Sequence, residues 1–234
     1  MTEGPRPFGQ LIFDLDDTLL DTNHQLVPRA SQEAMTEMIR SGLDADLQSC
    51  SAAWEEHGRY HARRDVFNHL VSTFGVRTGS DAEAVARRGF HAFYNRKVEI
   101  DISLIPGVRE LLLELSLGYR LFLVTSGAKA TQAEKIRILN IRDFFVSIQI
   151  VDPSHGETKG EAFLQIMRAT GDEPERYLSI GNRIDTDIAE ARALGWRGCW
   201  VRYGEHACLV PKDDLETPDF IISSIAELKD RCRL

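Results

Sequence analysis

The segment Asp14-Leu15-Asp16-Asp17-Thr18 directly follows a short apolar run, Gln10-Leu11-Ile12-Phe13. Asp14 and Asp16 are two residues apart, so in an extended chain their side chains point to the same side. Two carboxylates held together repel each other unless a cation lies between them, and Mg²⁺ takes oxygen ligands while keeping several waters. The pattern predicts a Mg²⁺ site in which one carboxylate is a nucleophile and the other an acid and base. Taken alone, it is better explained as a strand end with an acidic turn.

A second polar segment, Thr125-Ser126-Gly127, follows the apolar run Leu121-Phe122-Leu123-Val124. A threonine hydroxyl and the backbone N–H groups of the next two residues are suited to phosphate oxygens where a chain leaves a strand. Taken alone, these residues are more typical of a helix cap. Lys159, just before a helical pattern, would by itself be a solvated surface lysine.

The last polar segment, Gly181-Asn182-Arg183-Ile184-Asp185-Thr186-Asp187, follows the apolar run Tyr177-Leu178-Ser179-Ile180. Carboxylate and amide oxygens are ligands that suit Mg²⁺. Asp185 is also placed to cap a helix beginning near Ile188. Both interpretations of Asp185 stay open at this point.

Strand-like and helical patterns alternate around these polar segments, which predicts a mostly parallel sheet with helices on both faces. Ligands in such sheets bind at the carboxyl ends of the strands, where the polar segments lie. The predicted strands are 10–13, 121–124, 144–151, 177–180, 199–201 and 220–222, and the predicted helices are 108–117, 131–139, 160–170, 188–194 and 225–231.

Residues 22–103 have a different character, with apolar residues at helical spacing and no convincing strand. The sequence therefore predicts an all-helical domain, 22–103, inserted into an α/β core formed by residues 1–21 and 104–234. The insert carries five basic side chains that are candidates for contacts to an anionic leaving group: Arg59, His61, Arg63, Arg64 and His69.

The order of these segments, Asp14-Leu15-Asp16-Asp17-Thr18, then Thr125, then Lys159, then Gly181 to Asp187, resembles the four motifs of the haloacid dehalogenase superfamily. The resemblance covers nearly all of the chain outside the insert. It implies a Rossmann-like, doubly wound core with a helical cap between the first and second motifs, and a phosphatase chemistry.

The resemblance also implies a role for each matching residue. Asp14 would be the nucleophile that forms an aspartyl-phosphate, and Asp16 the general acid and then the base. Thr125 and Ser126 would bind phosphate, and Lys159 would stabilise the charge shared by Asp14 and the phosphoryl group. The metal ligands would be Asp14, the backbone carbonyl of Asp16, Asn182 and Asp187.

Asn182 departs from the family pattern, which commonly has an aspartate directly after the glycine. An amide oxygen is able to ligate Mg²⁺ but brings no negative charge. Asp187 matches the second acid of the motif, and Asp185 is a candidate to replace the first. The substitution predicts weaker Mg²⁺ binding, a shifted ligand set or reduced activity.

The expected function is a Mg²⁺-dependent hydrolase of small phosphorylated metabolites, of the phosphoglycolate, sugar phosphate or nucleotide type. One alternative is a phosphomutase, and another is a weakly active binding or regulatory protein, to which only Asn182 points. A dehalogenase is disfavoured, because the family's dehalogenases usually lack the acid that matches Asp16.

Composition narrows the partners. The net charge is −8 and the sequence pI about 5.4, which argues against nucleic acid or anionic membranes as partners. The four cysteines show no CxxC spacing and are expected to be free thiols. With no apolar leader or long apolar stretch, a cytoplasmic protein, monomeric or homodimeric, is expected.

Overall fold

The computed structural model describes residues 7–58, 65–94 and 102–234. The chain divides into two compact units. One combines Met1–Thr22 with Ile100–Leu234, and the other is Asn23–Glu99.

The larger unit is built on a six-stranded sheet in which every neighbouring pair of strands is parallel, in the order β3-β2-β1-β4-β5-β6. The order reverses direction between β1 and β4, as in doubly wound folds. The predicted α/β class is therefore confirmed. The strands are β1 Gln10–Phe13, β2 Arg120–Ser126, β3 Ser147–Val151, β4 Tyr177–Gly181, β5 Arg197–Val201 and β6 Phe220–Ile222.

The register of the central strands determines which residues meet at the carboxyl edge. Phe13 at the end of β1 pairs with Leu123 of β2 on one side and with Ile180 of β4 on the other. The residues that follow these positions, including Asp14 and Thr125, therefore emerge at the same edge of the sheet.

The α-helices are numbered in order along the whole chain. Five of the described helices, α6 to α10, belong to the larger unit. Apolar residues of α8 pack with β1 and β2, where Ile12, Phe122, Phe163 and Ile166 share one buried cluster. These helices are α6 Val108–Ser116, α7 Lys129–Leu139, α8 Lys159–Thr170, α9 Ala189–Arg192 and α10 Leu228–Cys232.

Helix α8 begins at Lys159 because of a capping box. The Thr158 side chain accepts a hydrogen bond from the Glu161 backbone N–H, and the Glu161 side chain accepts one from the Thr158 backbone N–H. This arrangement places Lys159 in the first turn, one residue earlier than the predicted start of the helix.

The segment after β4 differs from its prediction. A helix was expected over 188–194, whereas a π-helical turn, Ile184–Ile188, comes first and leads into the short α9. The N–H groups of Asp187 and Ile188 both donate to the Arg183 carbonyl, at 2.8 and 3.3 Å. Single π-helical turns are frequent at functional sites.

The described residues of the smaller unit form helices joined by turns, with an isolated antiparallel bridge between Leu43 and Val76 and no strand among them, as the pattern of residues 22–103 predicted. Its core includes Met38, Trp54, Phe67 and Phe93. Its helices are α1 Thr22–Gln25, whose first residue belongs to the larger unit, α2 Val27–Arg40, α3 Leu47–Gly58, α4 Val66–Phe74 and α5 Ala82–Tyr94.

Helices α2 and α5 approach closely where α5 carries a glycine. A Cβ atom at Gly89 would lie 2.5 Å from the Met38 side chain and 3.0 Å from the Phe67 ring. The absent side chain therefore lets the two helices pack closely together.

All four cysteines are free: Cys50, Cys199 and Cys232 are buried and Cys208 is exposed. Within the described ranges, no helix is both long and apolar enough to span a membrane.

Candidate active site

Polar side chains from three neighbouring strand ends meet at the carboxyl edge of the sheet. Asp14 follows β1, and its backbone N–H donates to the Ile180 carbonyl at 2.9 Å. Thr125 lies near the end of β2, and Asn182 follows β4. The side chains of all three residues are largely shielded from solvent.

Lys159 joins this group from the start of α8. Its Nζ donates to Asp14 Oδ1 at 2.6 Å and to Asp187 Oδ1 at 2.5 Å. The lysine is only 3% exposed, so its charge is compensated by these two carboxylates rather than by water. The structure thus brings together three of the predicted residues in one buried ionic group.

This sharing affects the pKa values of Asp14 and Lys159. Burial raises the pKa of Asp14, which Lys159 opposes and Asp187 reinforces, to about 7. Burial would lower the pKa of Lys159, but the two carboxylates outweigh it and hold that pKa above its usual value. Two carboxylates stabilise the positive charge of the one ammonium, but each carboxylate shares that ammonium with the other.

Asp187 is held by the π-helical turn. Its Oδ2 accepts a hydrogen bond from the Arg183 backbone N–H at 3.0 Å. A Cβ atom at Gly181 would lie 2.2 Å from Asp187 Oδ2, so only glycine at the end of β4 leaves room for this carboxylate.

Asp16 has different partners, two of which come from α7. Its Oδ1 accepts from Lys135 Nζ at 2.6 Å and from the Thr22 hydroxyl, and its Oδ2 accepts from Gln132 Nε2 at 2.7 Å. Burial would raise the pKa of the Asp16 carboxyl, but Lys135 and the hydrogen bonds from Thr22 and Gln132 outweigh it and hold the pKa below its usual value. In the protein without substrate, Asp16 is therefore held as a carboxylate.

Sequence reasoning missed Lys135 and Gln132. They are three residues apart, so they lie on one face of α7, and this helix directly follows Thr125-Ser126-Gly127. This spacing, in a helix that follows a polar strand end, was the signal that could have identified them. A helix face that packs toward the sheet is expected to be buried.

Thr125 is fully buried, and its hydroxyl has no hydrogen-bond partner within the described residues. An unsatisfied buried hydroxyl is costly, and one at the carboxyl edge of the sheet is available to a ligand. Ser126 lies next to it, and its backbone carbonyl accepts from Gln132 Nε2 at 2.7 Å.

Asn182 and Asp185 are placed differently. The Asn182 carbonyl accepts a hydrogen bond from the Trp200 indole at 2.9 Å, which holds the backbone at this position. Asp185 instead faces Arg183, whose guanidinium donates to both of its carboxylate oxygens, at 3.0 and 2.5 Å. Asp185 is thus paired at the partly exposed rim, whereas Asp187 is in the buried group.

The donor set fits Mg²⁺. Over the described part of the chain, no group of three or more His, Cys, Asp or Glu side chains is arranged to hold a metal ion. Mg²⁺ nevertheless often binds through one or two carboxylates plus waters and substrate phosphate. The Asp14 carboxylate and the neutral Asn182 amide are hard oxygen donors of the required kind.

Four of the five basic candidates in the helical insert, Arg59, His61, Arg63 and Arg64, lie outside the described residues. The fifth, His69, stacks on the ring of His57 with 4.6 Å between ring centroids.

A sequence profile of haloacid dehalogenase-like hydrolases matches residues 10–195, which include every predicted site residue. The glyceraldehyde 3-phosphate phosphatase of Methanopyrus kandleri is 30% identical, over 95% of this chain and 96% of the relative. The enzyme of the same name from Pyrococcus furiosus is also 30% identical, over 93% of this chain and 90% of the relative.

Among solved structures, the putative HAD-hydrolase YfnB of Bacillus subtilis, bound to magnesium, superposes with a TM-score of 0.67. The two chains are 20% identical, and the match covers 96% of this chain and 98% of the other. At this level of identity the likeness shows the fold, and it agrees with the parallel sheet described above.

Proposed function

The chain belongs to the haloacid dehalogenase-like hydrolase family, and on this premise we propose that it is a Mg²⁺-dependent phosphatase of small phosphorylated metabolites that works through an aspartyl-phosphate on Asp14. The observation that carries the proposal is the buried group at the carboxyl edge of the sheet. There the Asp14 carboxylate contacts Lys159, and the unpartnered Thr125 hydroxyl lies on the adjacent strand.

Phosphate recognition follows from these groups. The Thr125 hydroxyl and the backbone N–H groups near Ser126 are hydrogen-bond donors for phosphate oxygens. The Lys159 ammonium supplies positive charge beside the nucleophile, where negative charge accumulates during transfer.

In the first half-reaction, a carboxylate oxygen of Asp14 forms a bond to phosphorus while the bond from phosphorus to the leaving oxygen breaks. The electron pair stays with the leaving oxygen, which takes a proton from the Asp16 carboxyl. The incoming phosphate dianion adds like charge near Asp16, which raises the pKa of that carboxyl and favours the protonated form.

In the second half-reaction, a water oxygen attacks phosphorus and gives its proton to the Asp16 carboxylate. The bond between phosphorus and Asp14 breaks, its electron pair returns to the carboxylate, and inorganic phosphate leaves. Asp16 is then protonated again, so the two half-reactions together consume one water.

Mg²⁺ would be held by the Asp14 carboxylate, the Asp16 backbone carbonyl, the Asn182 amide and the Asp187 carboxylate. When bound, it supplies charge that offsets the repulsion between the carboxylates and the phosphate. Because Asn182 is neutral, this chain is expected to bind the ion more weakly than a chain with aspartate at that position.

The relatives indicate the substrate class. Two 30% identical proteins over most of the chain are named glyceraldehyde 3-phosphate phosphatases. We therefore propose a short-chain sugar phosphate as the substrate, with glyceraldehyde 3-phosphate as the first compound to assay, ahead of phosphoglycolate and nucleotides.

The decisive test is hydrolysis of p-nitrophenyl phosphate and glyceraldehyde 3-phosphate with and without Mg²⁺, for the wild-type protein and Asp14→Asn. Mg²⁺-dependent phosphate release that disappears in the variant is expected. Release that persists in Asp14→Asn would overturn the aspartyl-phosphate route. If neither protein releases phosphate and Asn182→Asp does not restore turnover, the chain is a binding or regulatory member of the family.

A further inference from the structure

A buried lysine on α7 lies outside the set of residues that the family pattern assigns. Lys135 is only 7% exposed. A buried ammonium is costly unless a carboxylate compensates it, and Asp16 Oδ1 lies 2.6 Å from Lys135 Nζ. The position of this lysine is therefore tied to Asp16.

Gln132 contacts the same carboxylate from the same face of α7. Its Nε2 donates to Asp16 Oδ2 at 2.7 Å and also to the Ser126 carbonyl at 2.7 Å. Lys135 thus holds one oxygen of Asp16 and Gln132 holds the other, so the carboxylate cannot turn about its own axis without losing a contact.

We propose that Lys135 and Gln132 are positioning residues that aim the Asp16 carboxyl at the leaving oxygen of the substrate. This inference rests on the proposed phosphatase function and deepens it. Gln132 links the proton donor to the phosphate-binding residues, because its amide nitrogen contacts both Asp16 and the end of β2, which carries Thr125 and Ser126. The phosphate and the proton donor are thereby placed relative to each other by one segment, 125–135.

A general acid acts only within hydrogen-bond reach of the atom that it protonates, and a carboxylate with one contact samples several orientations. Three donors from two directions, Thr22, Gln132 and Lys135, leave Asp16 one orientation. Removing Lys135 or Gln132 is expected to reduce proton delivery without touching the nucleophile.

The experiment uses two substrates that differ mainly in leaving group, phenyl phosphate and p-nitrophenyl phosphate. Phenolate is the poorer leaving group and depends on protonation, whereas nitrophenolate departs with little help. The quantity measured is kcat/KM, which covers binding and transfer to Asp14 up to departure of the alcohol and excludes hydrolysis of the intermediate.

The variants are Lys135→Met and Gln132→Met, with Lys135→Arg as the conservative change. Lys129→Met is the matched control, because Lys129 lies on the same helix but is exposed and pairs with Glu157 at 2.5 Å. Circular dichroism and thermal unfolding identify the variants that fold, and should Lys135→Met not fold, Gln132→Met carries the test.

In Lys135→Met and Gln132→Met, kcat/KM for phenyl phosphate is expected to fall about tenfold more than for p-nitrophenyl phosphate, part of the roughly 10²–10⁴-fold that acid–base help supplies. Lys135→Arg should recover part of the loss, and Lys129→Met should leave both values unchanged. Equal losses on both substrates, or none, would overturn the positioning role while leaving the phosphatase intact. A wild-type protein without Asp14-dependent turnover of either ester would overturn the proposed function itself.

Discussion

Asp14 and Asp16 are separated by one residue, and each contacts a buried lysine, but the two ion pairs are built differently. Lys159 is shared between Asp14 and Asp187, and the second oxygen of Asp187 accepts a hydrogen bond from the Arg183 backbone N–H. Within the described residues Lys135 pairs with one carboxylate, that of Asp16, which also accepts hydrogen bonds from the neutral Thr22 and Gln132 side chains.

Because of this difference, the pKa values of two chemically identical side chains are shifted in opposite directions. Burial raises the pKa of Asp14 despite the shared cation. For Asp16, burial is outweighed by Lys135 and by the neutral donors, so its pKa is lowered. Pairs of acids whose surroundings separate their pKa values are typical of sites that assign them separate roles.

Replacing the nucleophile should have the largest effect. Asp14→Asn is expected to reduce turnover of p-nitrophenyl phosphate by about 10⁴-fold or more, because an amide cannot form the acyl phosphate. Steady-state assays in Mg²⁺ measure this. Residual turnover within tenfold of the wild-type rate would show that the Asp14 carboxylate beside Lys159 is not the nucleophile.

Replacing the second acid should have a smaller effect. Asp16→Asn is expected to slow turnover roughly 10²–10⁴-fold, because both half-reactions lose proton transfer. Acid quenching with radiolabelled substrate should trap the aspartyl-phosphate in this variant, because hydrolysis of the intermediate has lost its base. A wild-type rate in Asp16→Asn would show that neither Asp16 nor its partner Lys135 takes part in proton transfer.

Adding a negative charge near Asp14 and Lys159 should increase the difference between the two ion pairs. Asn182→Asp places a third carboxylate near Asp14 and Asp187, which is expected to tighten Mg²⁺ on the order of tenfold, because ligand charge tunes cation affinity. Titrating turnover with Mg²⁺ measures this change. Without metal the variant should unfold at a lower temperature than the wild-type protein, and Mg²⁺ should raise that temperature more than it does for the wild type. An unchanged Mg²⁺ titration would exclude residue 182 as a ligand.

The smallest effects concern stability in metal-free buffer. Since the folded pKa of Asp14 is raised from 3.8 to about 7, the stability that wild-type Asp14 contributes is present below pH 3.8 and is lost as pH rises through about 7. Asp14→Asn should therefore gain in unfolding temperature relative to the wild-type protein across this window, by about 2–4 °C per kcal/mol.

Asp16→Asn should show the opposite dependence. The pKa of Asp16 is lowered in the folded protein, so its contribution is present above pH 3.8 and is lost only as pH falls through the folded value. The variant should be less stable than wild type at neutral pH and converge with it in acid. Thermal unfolding of the three proteins from pH 3 to 8 tests both signs, and parallel curves would contradict the assigned difference in proton affinity.

Sequence patterns predicted the sheet well because buried parallel strands are short apolar runs, and such runs end at polar residues. Strands β1 and β6 have the predicted bounds. The helix after β4 was less well predicted, because the chain first forms a π-helical turn that serves Asp187, and hydrophobic periodicity does not report such a turn.

The sequence predicted several candidate site residues, but it missed Lys135 and Gln132 and did not predict which side chains pair. Asp14, Thr125 and Lys159 were recognisable by their order and positions at strand ends. Asp185 and Asp187 were two candidates for similar roles, and only the fold separates them, since Asp185 pairs with Arg183 at the rim while Asp187 contacts Lys159.

The sequence alone determined the class of chemistry, because strand-end acids, a threonine and a lysine in this order require only a parallel sheet to bring them together. Only the tertiary structure decided how the charges are shared. Whether a lysine serves one carboxylate or two depends on distances of a few ångströms between elements more than 100 residues apart in the chain, such as Lys159 to Asp14 and Lys135 to Asp16. Those distances result from strand register and helix packing, which residue spacing along one chain does not encode.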